Sequence, residues 1–130
     1  MITDAIYITG LTDSGDLLCG GIWRLYRQEG FPVDLSVLIL REKGVLPDLC
    51  EMMAEASVHS ELPQLEKQCP ELFTPEVKLK FMALLEREGY PQEDYTVASE
   101  RILLDKRRNG IAPSQYGKMV LVQSELKRFR

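Results

Sequence analysis

Two glycine-proline junctions, each occurring twice, constrain this chain more than any other feature. The stretch Leu25-Tyr26-Arg27-Gln28-Glu29-Gly30-Phe31-Pro32-Val33-Asp34 matches Leu84-Leu85-Glu86-Arg87-Glu88-Gly89-Tyr90-Pro91-Gln92-Glu93 almost position for position. Further on, Gly44-Val45-Leu46-Pro47 is answered by Gly110-Ile111-Ala112-Pro113. Glycine accepts the left-handed conformation just past a helix C-terminus, and proline is tolerated in the first helical turn. Each junction therefore ends one helix and starts the next.

Apolar spacing between the junctions agrees with helices. Leu18, Ile22 and Leu25 fall at i, i+4 and i+7, as do Val77, Phe81 and Leu84. The pattern predicts helices over 15–29, 33–43 and 47–58, a short helix near 61–68, and then helices over 75–88, 92–109 and 113–128. Thr74 is the expected N-cap of the helix at 75, with Pro75 in its first position. Around Ile6, Tyr7 and Ile8 the first ten residues are β-branched or aromatic, the composition of a strand or an ordered arm.

These elements make an all-α fold: a compact bundle of about six helices with a short N-terminal arm or strand. Residues 1–130 are expected to form a single helical domain, with two diverged three-helix repeats at 15–58 and 75–130 joined by a connector at 59–74. The interval from Pro91 to Gly110 exceeds that from Pro32 to Gly44 by seven residues. Seven residues are close to two helical turns, so duplication followed by such an insertion keeps the buried face nearly in phase. Chance reuse of Gly and Pro at helix ends is the alternative.

A chain of 130 residues can bury a core without a disulfide or a structural metal. Cys19, Cys50 and Cys69 are odd in number, contain no CxxC pair and show no metal-ligand spacing, which points to a reducing compartment. The N-terminal residues lack the basic start and apolar stretch of a signal peptide, and no apolar run is long enough to span a bilayer. The expected location is cytoplasmic, without membrane contact.

The net charge of −4 hides an asymmetry. Residues 1–100 carry 8 Lys or Arg against 18 Asp or Glu, whereas residues 101–130 carry 8 against 2. A basic segment follows an acidic body. It can neutralise that body, or it can meet a polyanion or an acidic partner.

Helix, glycine, branched apolar residue, turn and second helix is a layout that resembles the DNA-binding helix-turn-helix. It occurs at Gly44 and again at Gly110, in a form that any glycine-turned helical hairpin satisfies. In the first copy the reading helix carries Asp48, Glu51 and Glu55, which repel phosphate, so that copy is structural. The second copy supplies Lys106, Arg107 and Arg108, then Ser114, Gln115 and Lys118, then Lys127 and Arg128, groups able to contact phosphates, base edges or an acidic protein surface. This stretch also resembles short C-terminal helical hairpins that mediate oligomerisation.

Nothing in the sequence forms a catalytic signature, a metal site or a cofactor site. His59 is the sole histidine, and its place near a helix C-terminus favours electrostatic stabilisation of that end over catalysis. Gly20 and Gly21, beside Cys19, are expected inside the first helix, where close packing against another helix would justify them. Trp23, and adjacent Met52 and Met53, are candidate protein-interface residues, because neighbours on a helix point about 100° apart and two methionines in a row cannot both face deep inward. The leading expectation is a small non-enzymatic helical protein acting through macromolecular association, with itself or with a protein partner. The alternative is a DNA-binding regulator using the hairpin at 92–128.

Overall fold

A computed structural model describes residues 6–87 and 95–108 of the chain. The elements run β1 (Tyr7–Leu11), β2 (Leu17–Gly20), α1 (Ile22–Glu29), α2 (Val33–Glu42), β3 (Val45–Pro47), α3 (Leu49–Val58), α4 (Leu62–Gln68), α5 (Pro75–Arg87) and α6 (Tyr95–Arg108). Six helices are present among the described residues, but so is a three-stranded mixed sheet of order β1-β2-β3. The all-α expectation is thereby corrected to α+β. Contacts divide the chain into two compact units, the first described over 6–48 and the second over 49–87 and 95–108.

In the first unit the correction begins at a tight hairpin. Gly15 takes φ +87° and donates its N–H to the Thr12 carbonyl, while Thr12 donates to the Asp16 carbonyl at 2.8 Å. This turn reverses the chain, so that β1 and β2 pair antiparallel from Leu11↔Leu17 to Tyr7↔Gly20. Leu17 to Gly20 is therefore strand where helical spacing predicts helix. A short apolar run fits either period, and here pairing with β1 decides between them.

Gly21 sets the boundary between strand and helix. It stands at φ +92° immediately before α1, so it links strand to helix in a conformation that L side chains avoid, instead of packing inside a helix. At the far end, Gly30 at φ +69° donates its N–H to the Tyr26 carbonyl and closes α1, as the junction predicts.

Gly44 likewise ends the second helix, at φ +74°. The chain then enters β3, parallel to β2 with Leu17↔Val45 and Cys19↔Pro47, and the α1–α2 pair forms the crossover that a parallel connection needs. The first helix-turn-helix frame therefore contains a strand in place of the expected turn. Pro47 fits because β3 is an edge strand among the described residues. Ile8, Cys19, Ile22, Trp23, Leu25, Val33, Leu40 and Val45 are among the buried apolar side chains of this unit. Trp23 stacks on Tyr26 with ring centroids 4.8 Å apart.

The second unit is helical. α3 is its central element, buried at every residue from Glu51 to Ser57, and it packs against α4, α5 and α6. A helix covered all round cannot be one-sided, and Met52, Ala54 and Ala56 fill the faces that a surface helix would leave polar. Thr74 accepts the Val77 N–H at 3.4 Å and Pro75 begins α5, the start expected from sequence. The segments matched by the repeat differ at their N-terminal ends, since Leu17–Gly20 is strand whereas its counterpart at 76–79 lies within α5. The helix expected at 113–128 lies outside the described residues, and no helix among those described is long and apolar enough to cross a membrane.

Candidate functional site

The basic end of α6 is the part of the sequence-derived basic surface that lies within the described residues. Lys106, Arg107 and Arg108 occupy its last turn, where positive charge complements the negative end of the helix dipole. Arg107 Nη2 donates to Glu55 Oε1 at 3.0 Å, and the other oxygen of the same carboxylate, Oε2, lies 3.3 Å from His59 Nε2. Glu55 is 6% exposed, while Arg107 and His59 are 41% and 35% exposed. A nearly buried carboxylate thus spans two neighbours, one just past the C-terminal end of its own helix and one from α6.

That arrangement revises the reading of the acidic residues on α3. A reading helix would face Glu51 and Glu55 outward to repel a phosphate backbone, yet both are buried, as is Asp48 at the end of the first unit. Asp48 Oδ2 accepts the Thr9 hydroxyl at 2.6 Å, and its N–H donates to the Cys19 carbonyl. Thr9 reaches it because the β1–β2 register slips between Ile8 and Gly10, and a bulge of this kind re-aims one side chain.

Of the other sequence-derived residues, Ser114, Gln115, Lys118, Lys127 and Arg128 lie outside the described residues. Met52, Met53 and Trp23 are buried, at 0%, 3% and 1% exposure, so none is presented on the surface. The two methionines both find cover because α3 has neighbours on several sides. Cys19 is buried, with its thiol 3.6 Å from the Gly20 carbonyl.

Sequence reasoning passed over the outer face of α6. Val97, Glu100, Arg101, Leu104, Asp105 and Arg108 are exposed, opposite the buried Ala98, Ser99, Ile102 and Leu103. Leu104 is 57% exposed, Val97 36%, and on α5 Leu79 is 69% exposed. The seven-residue spacing of Val97 and Leu104 was the available signal, since it puts both on one stripe two turns apart. A shallow depression of about 480 Å³ between α4 and α5 is lined by Pro63, Glu66, Lys67, Pro70, Phe73 and Lys78, with Lys78 Nζ 3.4 Å from Glu66 Oε1. Among the described residues no three His, Cys, Asp or Glu side chains converge as a metal site requires.

Comparison with protein-family models, with curated proteins and with solved structures found no match.

Proposed function

We propose that this protein acts by association with a protein surface and has no catalytic activity of its own. The observation that carries this reading is the exposure of large apolar side chains, Leu79 on α5 with Val97 and Leu104 on α6, two helices that pack on each other. Isolated exposed leucines are ordinary, whereas apolar residues aligned on one helix stripe and bordered by charge are the composition of a contact surface. The commitment of Arg107 to Glu55 favours protein over nucleic acid, because it draws one cation of the basic run towards a carboxylate. Arg108, exposed on the same turn, suits an acidic partner. An odd number of cysteines without a CxxC pair favours a reducing, cytoplasmic setting.

The test is affinity capture from a cell extract with wild type, Leu79→Glu and Leu104→Glu in parallel, each first shown to be folded by circular dichroism. The reading expects partners held by wild type to be lost from at least one variant. Undiminished capture by both overturns it. Fluorescence anisotropy with labelled duplex DNA decides the regulator alternative: a steep salt dependence, flattened by Lys106→Glu/Arg108→Glu, would replace the protein-association reading with a nucleic-acid one.

A further inference from the structure

We infer that the outer face of α6 pairs with α6 of a second copy of this chain, antiparallel about a twofold axis; this rests on the association reading above and assigns its surface and occupant. At about 100° per residue, Val97, Arg101, Leu104 and Arg108 fall in one narrow arc opposite the buried stripe. Their spacing of four, three and four residues is that of alternating a and d positions in a heptad seam. Glu100 and Arg107 border the seam on one edge, and Asp105 borders it on the other.

This charge pattern distinguishes between the two ways of pairing identical helices. A parallel pair brings opposite edges together and sets Glu100 against Asp105 of the second copy, a like-charge contact. An antiparallel pair brings the same edges together, so Glu100 meets Arg107 of the second copy, and the twofold axis repeats the attraction. In that register Val97 is level with Arg108 and Leu104 with Arg101 of the other chain. The aliphatic stems of the two arginines then lie beside the two exposed apolar side chains. Arg107 can serve both carboxylates, because its guanidinium has five N–H donors, remains 41% exposed, and uses Nη2 for Glu55.

One face of a 14-residue helix covers less than the roughly 800 Å² per partner of a standard stable complex, so the dimer is weak and concentration-dependent. Sedimentation velocity of the full chain from about 5 to about 500 µM reads it directly, as a rise in mass from 14.9 kDa towards twice that value. Leu104→Lys, which sets a cation level with Arg101 of the second copy, and Glu100→Arg, both at exposed positions, are each expected to weaken the dimer at least about tenfold. Leu38→Glu, at an exposed position of α2, leaves it unchanged. Asp105→Lys tests orientation, since it would strengthen a parallel pair and has little effect on the antiparallel one. A chain that stays monomeric throughout overturns the inference, as does a dimer indifferent to Leu104→Lys or strengthened by Asp105→Lys. A monomer that still captures another protein through Leu79 or Leu104 overturns self-pairing alone, whereas loss of both overturns the association reading with it.

Discussion

Arg107 of α6 and Glu55 of α3 form an ion pair at 3.0 Å in which the carboxylate is almost fully buried and the guanidinium nearly half exposed. The asymmetry sets what each substitution does. Removing the cation leaves a desolvated carboxylate with His59 beside it, while removing the carboxylate leaves an arginine that water can still solvate.

Arg107→Ala is accordingly expected to destabilise the second unit by about 1–3 kcal/mol, and Glu55→Gln by less. Urea denaturation of both variants and of the double variant gives the coupling energy as a double-mutant cycle. A coupling near zero would show that the pair is a surface contact of the negligible kind, despite the burial of Glu55.

The bond from Thr9 to Asp48 joins the bulged β1 to the residue just after β3, at the opposite edge of the same sheet. Thr9→Val keeps the β-branched shape and removes the hydroxyl. A charge-assisted bond of 2.6 Å predicts a loss of about 1.5–3 kcal/mol, read as a lower urea midpoint with an unchanged slope. Thr9→Ser, which retains the donor, should recover most of that loss.

Local signals were legible where they were sufficient. Thr74 and Pro75 announce α5, and Gly30 closes α1 with the positive φ that its place before Phe31-Pro32 implies. Leu17, Leu18 and Cys19 were not legible, because in the chain they continue the spacing of Ile22 and Leu25, and only pairing with Tyr7–Leu11 and Val45–Pro47 makes them a strand. The candidate site divides in the same manner. Basic character at the end of α6 is visible in sequence, whereas its partner Glu55 lies 52 residues away and belongs to a helix whose burial depends on its neighbours. Burial of both Met52 and Met53 has the same origin, since one helix considered alone always has an outside.

Backbone conformation predicts two opposite effects of exchanging glycine. A Cβ at Gly30 would meet nothing within 4 Å, so Gly30→Ala is opposed by the φ of +69° alone and should cost about 1 kcal/mol. Ser60 closes α3 at φ +57°, with the Glu61 N–H bonded to the Ala56 carbonyl in the manner of a Schellman cap. Glycine belongs at such a position, and Ser60→Gly should stabilise the protein by about 0.5–1 kcal/mol. Thermal unfolding monitored by circular dichroism should move in opposite directions for the two variants.

Ser99 supplies the last prediction, because its side chain is wholly buried on α6 and its hydroxyl has no hydrogen-bond partner among the described residues. Three effects act on Ser99→Ala. Removing a desolvated hydroxyl that makes no bond is favourable by up to about 1–3 kcal/mol on mutational scales. Alanine is a better helix former than serine by a few tenths of a kcal/mol. Opposing these, loss of one oxygen leaves a gap smaller than a methyl group, worth less than about 1 kcal/mol. The sum favours the variant, so Ser99→Ala should raise stability by about 0.5–2 kcal/mol in urea denaturation. A destabilised variant would mean that the hydroxyl is satisfied in solution, and would place a polar group against the middle of α6.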